Sequence, residues 1–358
     1  LRMLRPGNMW ISSPENLSTG EENISNNFTL IEPIINENLS NLTIQTNNDE
    51  SFQESTEHSL VSTPYISNCM TITSPGTYDL TGSFTNESYL LYSCYNISSS
   101  DVILDCHGYT GTSPGYFSSS NGFSNIEIKN CMINSTYGIY FINVGSSVIQ
   151  SNTFLRSWTG ISLESSTDNS VINNIFNDDY ARITISNYNL PSGTGNKISG
   201  NIWLGEFGSI DVNRANGSLI EYNYLTNTSR PITVIGNDQI IRYNTIRKLQ
   251  HWCSWPTVTC GIGIVIVQSS NSLVENNSIT NSHCSSGCIP MLITNTYNSV
   301  FRGNYINDND MGIYVGPFPQ AEGYPPHEVN NLTFEENLII NNNGNGINIG
   351  QVDSQTYT

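Results

Sequence analysis

The sequence predicts an all-β solenoid of short stacked coils, about 22 residues each, followed along its axis by one repeating corner. Three observations predict it: a ruler of asparagines, an apolar alternation around each of them, and a second apolar segment at a fixed distance beyond. The ruler is Asn130, Asn152, Asn174, Asn201, Asn223, Asn244, Asn277, Asn304 and Asn337, with gaps of 22, 22, 27, 22, 21, 33, 27 and 33 residues. Periods of 20–50 residues mark stacked architectures, and the longer gaps mark coils that carry insertions.

Each element follows from its residues. Segments such as Val148-Ile149-Gln150-Ser151, Leu219-Ile220-Glu221-Tyr222 and Val300-Phe301-Arg302-Gly303 lead into a ruler asparagine. Another apolar residue stands two places beyond it, as at Phe154, Phe176, Trp203, Leu225, Ile246, Ile279 and Ile306. This alternation with β-branched enrichment reads as strand. Eight residues after most ruler positions a second strand opens, for example Gly160-Ile161-Ser162, Arg182-Ile183-Thr184, Ser209-Ile210-Asp211 and Gly312-Ile313-Tyr314. Strands this short bury a core only when stacked, each pairing with its copy about 4.8 Å away. Like side chains then lie above one another and asparagines form a hydrogen-bonded ladder. A corner asparagine also suits a left-handed backbone. The ruler is therefore read as structural and not catalytic.

Residues from about Cys69 to Gly350 resemble the right-handed parallel β-helix family, the pectate-lyase-like and NosD-like solenoids. The resemblance is carried by Cys69-Met70-Thr71-Ile72-Thr73-Ser74-Pro75-Gly76-Thr77-Tyr78-Asp79-Leu80. It continues through Val102-Ile103-Leu104-Asp105-Cys106-His107-Gly108 and Ile126-Glu127-Ile128-Lys129-Asn130-Cys131. It implies the fold and carbohydrate contact. It does not imply one activity, because such a fold hosts lyases, hydrolases, binding modules and fibres.

Composition narrows the partners. Charged residues make up 12% of the chain, the net charge is −18, and only Lys129, Lys197 and Lys248 are lysines. Nucleic acids and anionic membranes both need basic patches, so neither is an expected partner. No apolar run reaches the 18 residues of a membrane span. The chain opens without a signal peptide or initiator Met, which for secreted features suggests a processed start.

Eight cysteines point to an oxidising, extracellular or cell-surface location. Cys69 with Cys94 and Cys106 with Cys131 are each 25 residues apart, one coil, which brings them within disulfide reach. Cys253 with Cys260 and Cys284 with Cys288 read as local loop bridges. Asn-x-Ser/Thr sequons begin at Asn16, Asn23, Asn27, Asn38, Asn41, Asn86, Asn96, Asn134, Asn216, Asn227, Asn276 and Asn331. They predict N-linked glycans in a host that glycosylates asparagine.

Two units are expected, an extended sequon-rich tail over 1–60 and the β-helix over 61–358. The tail lacks the repeat and is polar, so it orders only on its own solenoid or on a neighbouring subunit, for instance by strand addition. The solenoid stops after Gly346-Ile347-Asn348-Ile349-Gly350 without a capping helix, which suggests docking onto another copy. The favoured function is a secreted, glycosylated structural subunit that self-associates head to tail into an extracellular filament or cell-surface assembly.

Chemistry is expected where coils carry insertions. The excess after Asn244 holds His251-Trp252-Cys253-Ser254-Trp255-Pro256-Thr257-Val258-Thr259-Cys260, and the excess after Asn277 holds His283-Cys284-Ser285-Ser286-Gly287-Cys288. Trp252 and Trp255 suit sugar stacking or a subunit contact, and the Pro-rich loop with Phe318 and Tyr324 suits a contact surface. A zinc set drawn from His251, Cys253, Cys260, His283, Cys284 and Cys288 lacks standard finger spacing, so disulfides are preferred. No metal or cofactor is expected for the structural role. The alternative is a carbohydrate-binding or polysaccharide-cleaving β-helix, with surface polysaccharide as partner. Its candidate cluster is Asp178, Asp179, Glu206, Asp211 and Arg182, arranged for a Ca²⁺-assisted lyase or a two-carboxylate hydrolase. Asp308 and Asp310 lie several coils away and cannot join it. His58 and His107 show no acid or nucleophile partner and read as structural.

Overall fold

The computed structural model describes residues 66, 69–85, 94–112, 115–119, 122–177, 180–187, 194–250, 261–284, 287–316 and 329–350. The predicted tail over 1–60 lies outside them. So do Trp252, Trp255, Phe318 and Tyr324, the Cys253–Cys260 pair, Asp178 and Asp179, and the sequons at Asn16, Asn23, Asn27, Asn38, Asn41 and Asn86.

The described chain is all-β and winds as a right-handed parallel β-helix. Each full coil contributes three strands, so three parallel sheets run along the axis. Sheet 1 has 12 strands, from Met70–Ile72 to Ile347–Ile349. Sheet 2 has 11, from Gly76–Asp79 to Thr333–Glu335, and sheet 3 has 11, from Phe84–Thr85 to Leu338–Ile340. The sequence reading recognised two strands per coil. The ruler asparagine in fact divides its apolar neighbourhood into two strands, Val148–Gln150 on sheet 2 and Thr153–Leu155 on sheet 3 in one coil.

Register places like on like. On sheet 1, Ile139 pairs with Ile161, Ile161 with Ile183, Ile183 with Ile210 and Ile210 with Ile232. These isoleucines point inward and are fully buried. On sheet 3, Phe154, Phe176 and Trp203 stack inside the coil with ring centroids 4.7 and 4.6 Å apart. The Trp203 indole N–H donates to the Ala181 carbonyl at 2.9 Å, so the largest core side chain buries no unpaired polar atom. These rings explain the glycines that open sheet 1 strands: a Cβ on Gly160 would stand 2.6 Å from the Phe176 ring. On the outer face of sheet 2, Glu221, Arg242, Glu275, Arg302 and Glu335 pair in register and alternate in charge. A one-coil slip would set like charges opposite each other.

The corner between sheets 2 and 3 carries the ladder. Asn201 gives both its backbone N–H and its Nδ2 to Asn223 Oδ1, each at 3.0 Å. Asn223 repeats this to Asn244 at 3.1 and 3.0 Å, and its Nδ2 also donates to the Ile198 carbonyl at 3.0 Å. The pattern runs from Asn152 to Asn337. Two expectations are corrected here. The first ladder slot belongs to Cys131, whose N–H donates to Asn152 Oδ1 at 3.0 Å. Asn130 lies one residue earlier and donates to Asp105 Oδ1 at 3.0 Å. The left-handed residue is also one place earlier than predicted, at Ser151, Asn173, Tyr222, Tyr243, Asn276 and Glu336, all with φ between 52° and 56°. The ladder asparagines serve hydrogen bonding and not backbone strain.

The corner between sheets 1 and 2 repeats the device with mixed residues. The Ser147 N–H donates to Asn169 Oδ1 at 3.0 Å, and the Ser272 N–H donates to Ser299 Oγ at 3.1 Å. Cys106–Cys131 takes the place of the main ladder at the N-terminal end, with Cα atoms 4.7 Å apart, and Cys69–Cys94 joins the first two coils. Cys284–Cys288 closes a local loop. These three pairings agree with the sequence reading.

Replacing Asn223 with Ala removes four side-chain hydrogen bonds from a buried corner and orphans partners on two neighbouring coils. The loss should be about 3 kcal/mol or more in urea unfolding. Asn337→Ala, at the half-buried end of the ladder, should lose less than half as much, since water can replace its partners. Equal losses at the two positions would contradict a burial-driven ladder.

Candidate functional site

Side chains alternate across sheet 1, so the inward isoleucines fix which residues face outward. One outward row runs Tyr140, Ser162, Thr184, Asp211 and Thr233 through consecutive coils. Beside it lies Glu164, paired with Ser186 and then Asn213. The Tyr140 hydroxyl donates to Glu164 Oε2. Burial, with the neighbouring carboxylate, pushes the Tyr140 hydroxyl up to about 12. Further along, the same row turns apolar at Val265, Leu292 and Tyr314. There Val265 and Leu292 form a second buried cluster with Ile262 and Ile289, separate from the core.

Asp211 sits at the middle of the polar strip. Its carboxylate accepts from Ser209 Oγ at 2.8 Å. Burial raises its pKa above the ordinary 3.8, against the Ser209 hydrogen bond and the positive charges of Arg182 and Arg230, which lower it. Arg182 pairs in register with Ser209, so the fold assembles Arg182, Ser209 and Asp211 across two coils.

Along the corner that feeds this strip runs an exposed aromatic rail. Trp158 and Tyr180 lie 5.9 Å apart at a 34° tilt, and Tyr180 stacks on Phe207 at 4.7 Å. Trp158 is 66% exposed, and Tyr137, one coil earlier on the neighbouring strand, is 59% exposed. The Trp158 backbone N–H donates to the Thr136 carbonyl at 2.9 Å, so Thr136 holds the matching position one coil earlier. Tyr180 and Phe207 cover each other, whereas among the described residues Trp158 meets one ring, that of Tyr180.

Of the predicted cluster, Arg182 and Asp211 come together. Glu206 is exposed at the corner beside Phe207 and is not among the groups acting on Asp211. Asp308 and Asp310 flank His283 at 3.3 Å each, far along the axis, as expected. The zinc reading fails at Cys284 and Cys288: both thiols are in a disulfide and offer no thiolate. Asp310 instead accepts the backbone N–H groups of Cys284 and Cys288 at 2.6 and 2.8 Å. Burial acts to raise its pKa, but these and further hydrogen bonds outweigh it and hold the carboxylate below its usual range. His107 is not partnerless: Asp79 and Asp105 stand beside it. Of the described sequons, Asn96, Asn276 and Asn331 are exposed, and Asn134, Asn216 and Asn227 are half-buried. The rail was missed, although Trp158, Tyr180 and Phe207 each stand six residues after Asn152, Asn174 and Asn201.

Two family profiles match the chain. The right-handed β-helix region profile matches residues 191–358, and that of the periplasmic copper-binding protein NosD matches residues 93–248. No curated protein sequence matches. Among solved structures, the chain is similar to a tailspike protein of E. coli bacteriophage HK620 in complex with a pentasaccharide. The two share 10% identity over 78% of this chain and 61% of that one, at a TM-score of 0.45. It is similar to PfbA, a surface adhesin of Streptococcus pneumoniae, at 10% identity over 78% and 84% with a TM-score of 0.41. It is also similar to the A-module of the Azotobacter vinelandii mannuronan C-5 epimerase AlgE6, at 12% identity over 77% and 81% with a TM-score of 0.35. At such identities the likeness stops at architecture.

The copper in the NosD description calls for imidazole, thiolate or thioether donors. Residues 93–248 hold one histidine, His107, and one methionine, Met132. Their three cysteines, Cys94, Cys106 and Cys131, are all in disulfides. The residues present do not fit a soft copper set.

The neutral form of Asp211 is favoured by the fold, so ionisation at Asp211 weakens the folded state as pH rises from 3.8 through its raised folded value. Asp211→Asn removes that penalty. The variant should melt higher than the parent at pH 7, and the two should converge near pH 3. A lower melting temperature at pH 7 would show that the ionised carboxylate contributes stability there.

Proposed function

We propose that this chain, which folds as a right-handed parallel β-helix, is a polysaccharide-binding solenoid of an extracellular or periplasmic compartment. The observation that carries this reading is the exposed aromatic rail Trp158–Tyr180–Phe207 along the edge of a polar strip. A sugar ring presents an apolar C–H face and a rim of hydroxyls. The exposed Trp158 ring suits the first, and the half-buried Ser162, Thr184 and Asp211 suit the second. Exposed aromatic surface rimmed by polar groups is a usual mark of a binding site.

Arg182 and Arg230 add a preference. Both bear on Asp211, and among the described residues neither has a carboxylate within ion-pair distance. A guanidinium is a planar donor fork that matches a carboxylate, so a polymer carrying uronate groups fits this edge in spite of the chain's net charge of −18. Three disulfides among the described residues support an oxidising compartment. Among the described residues no helix is long and apolar enough to cross a membrane. N-linked glycans at the exposed sequons are part of the proposal where the host glycosylates. The filament role rests on head-to-tail contacts at the Gly346–Gly350 end and on residues 1–60, of which the latter lie outside the described residues.

A second reading, cleavage of the bound polymer, is favoured by one observation: burial keeps a proton on Asp211 to higher pH than usual, as a general acid requires. Affinity gel electrophoresis against soluble neutral glucans and uronate polymers tests binding. Trp158→Ala should weaken retention at least tenfold, and Arg182→Ala should weaken it for uronate polymers alone. Unchanged retention of Trp158→Ala would remove the rail from the site. Release of reducing ends by the parent but not by Asp211→Asn would establish cleavage.

A further inference from the structure

The first full coils carry a side-chain cluster on the outer face of sheet 2, away from the aromatic rail. Asp79 and Asp105 close the paired strands Gly76–Asp79 and Val102–Asp105 and stand directly opposite each other in register. Like charges so placed on adjacent strands destabilise the pair unless a cation lies between them. Lys129 is next in the same row but gives its Nζ to Glu127 at 3.3 Å. Among the described residues no Lys or Arg reaches either aspartate.

His107 lies between the two carboxylates. Its Nε2 is 3.0 Å from Asp79 Oδ1, and its Nδ1 is 3.5 Å from Asp105 Oδ1. A neutral imidazole has a single N–H, so it can donate to one aspartate and must turn a lone pair toward the other. Asp105 Oδ1 is held by the His107 backbone N–H at 2.9 Å and by Asn130 Nδ2 at 3.0 Å. The corner beneath is fixed by the Cys106–Cys131 bridge. One ring nitrogen and one oxygen from each carboxylate lie within 4.8 Å of one another. Donors around a tetrahedral Zn²⁺ lie about 3.4 Å apart, so small side-chain rotations suffice.

We infer that Asp79, Asp105 and His107 form a binding site for a borderline divalent ion of the Zn²⁺ type, which clamps two adjacent coils at the N-terminal end of the solenoid. Two carboxylates with one imidazole match such an ion, with water completing its shell. The site shares no residue with the proposed polysaccharide face and stands or falls without it.

The test is calorimetric titration of ZnCl2 into the full chain after dialysis against a chelator. One ion should bind per chain. His107→Ala and Asp79→Asn should each weaken that binding at least tenfold, while His283→Ala, at the other histidine flanked by two aspartates, should leave it unchanged. Zn²⁺ should also slow hydrogen exchange in Gly76–Asp79 and Val102–Asp105. No binding overturns the proposal, and so does binding that survives both substitutions or is lost in His283→Ala.

Discussion

A coil this short turns its backbone inward at every corner, and an inward backbone N–H or C=O without a partner is costly. The structure depends on how that demand is met. One left-handed residue makes the bend, and the next residue carries a side chain that closes the hydrogen bonds. At the corner between sheets 2 and 3 this is an asparagine, because a carboxamide accepts and donates at once. Asn174, for example, accepts two bonds from Asn152 and donates to Asn201 and to the Ile149 carbonyl. The next corner tolerates serine and glutamine, and the N-terminal end substitutes a covalent bridge at Cys106–Cys131. Insertions leave the corner intact. The 33-residue coil between Asn244 and Asn277 closes the same two bonds, at 3.1 and 3.0 Å, as its shorter neighbours.

Much of this was legible from residue spacing. Stacking repeats a side chain at each level, so Ile139, Ile161, Ile183, Ile210 and Ile232 appear in the sequence as a period and in the fold as a column. The disulfides Cys69–Cys94 and Cys106–Cys131 were legible for the same reason. Misreadings arose where neighbours in sequence compete for one slot. Asn130 and Cys131 are adjacent, and the 21-residue gap from Cys131 to Asn152 equals the true gap from Asn223 to Asn244, so the period alone could not choose between them. Partnership across coils was harder still. His107 has no acid beside it in a local window except Asp105, and Asp79 is 28 residues away. The aromatic rail was periodic but varied in kind, Trp158, Tyr180 and then Phe207, and a search for identical residues passes over it.

The candidate site follows from the same stacking rule. A solenoid cannot build a deep pocket from a single coil; it builds edges and strips, because neighbouring coils differ by one strand spacing. The polar row Tyr140–Ser162–Thr184–Asp211–Thr233 and the rail beside it extend in the direction in which the coils add. That geometry suits a ligand that is itself a linear repeat. The change of the row to Val265, Leu292 and Tyr314 limits the polar strip to the middle coils.

Electrostatics separates the middle of the solenoid from its N-terminal end. On sheet 2 the buried Glu221 and Glu275 are matched by Lys197, Arg242 and Arg302 at 2.7–3.0 Å, so the chain's few cations are spent where carboxylates are desolvated. Arg182 and Arg230 bear on Asp211, and among the described residues neither forms an ion pair. An acidic protein with twelve cations that leaves two of them beside an exposed aromatic rail presents a local field opposite in sign to its net charge. Under the proposed function, attraction to an anionic polymer is confined to one edge while the rest of the surface repels it, which would orient a linear ligand along the rail.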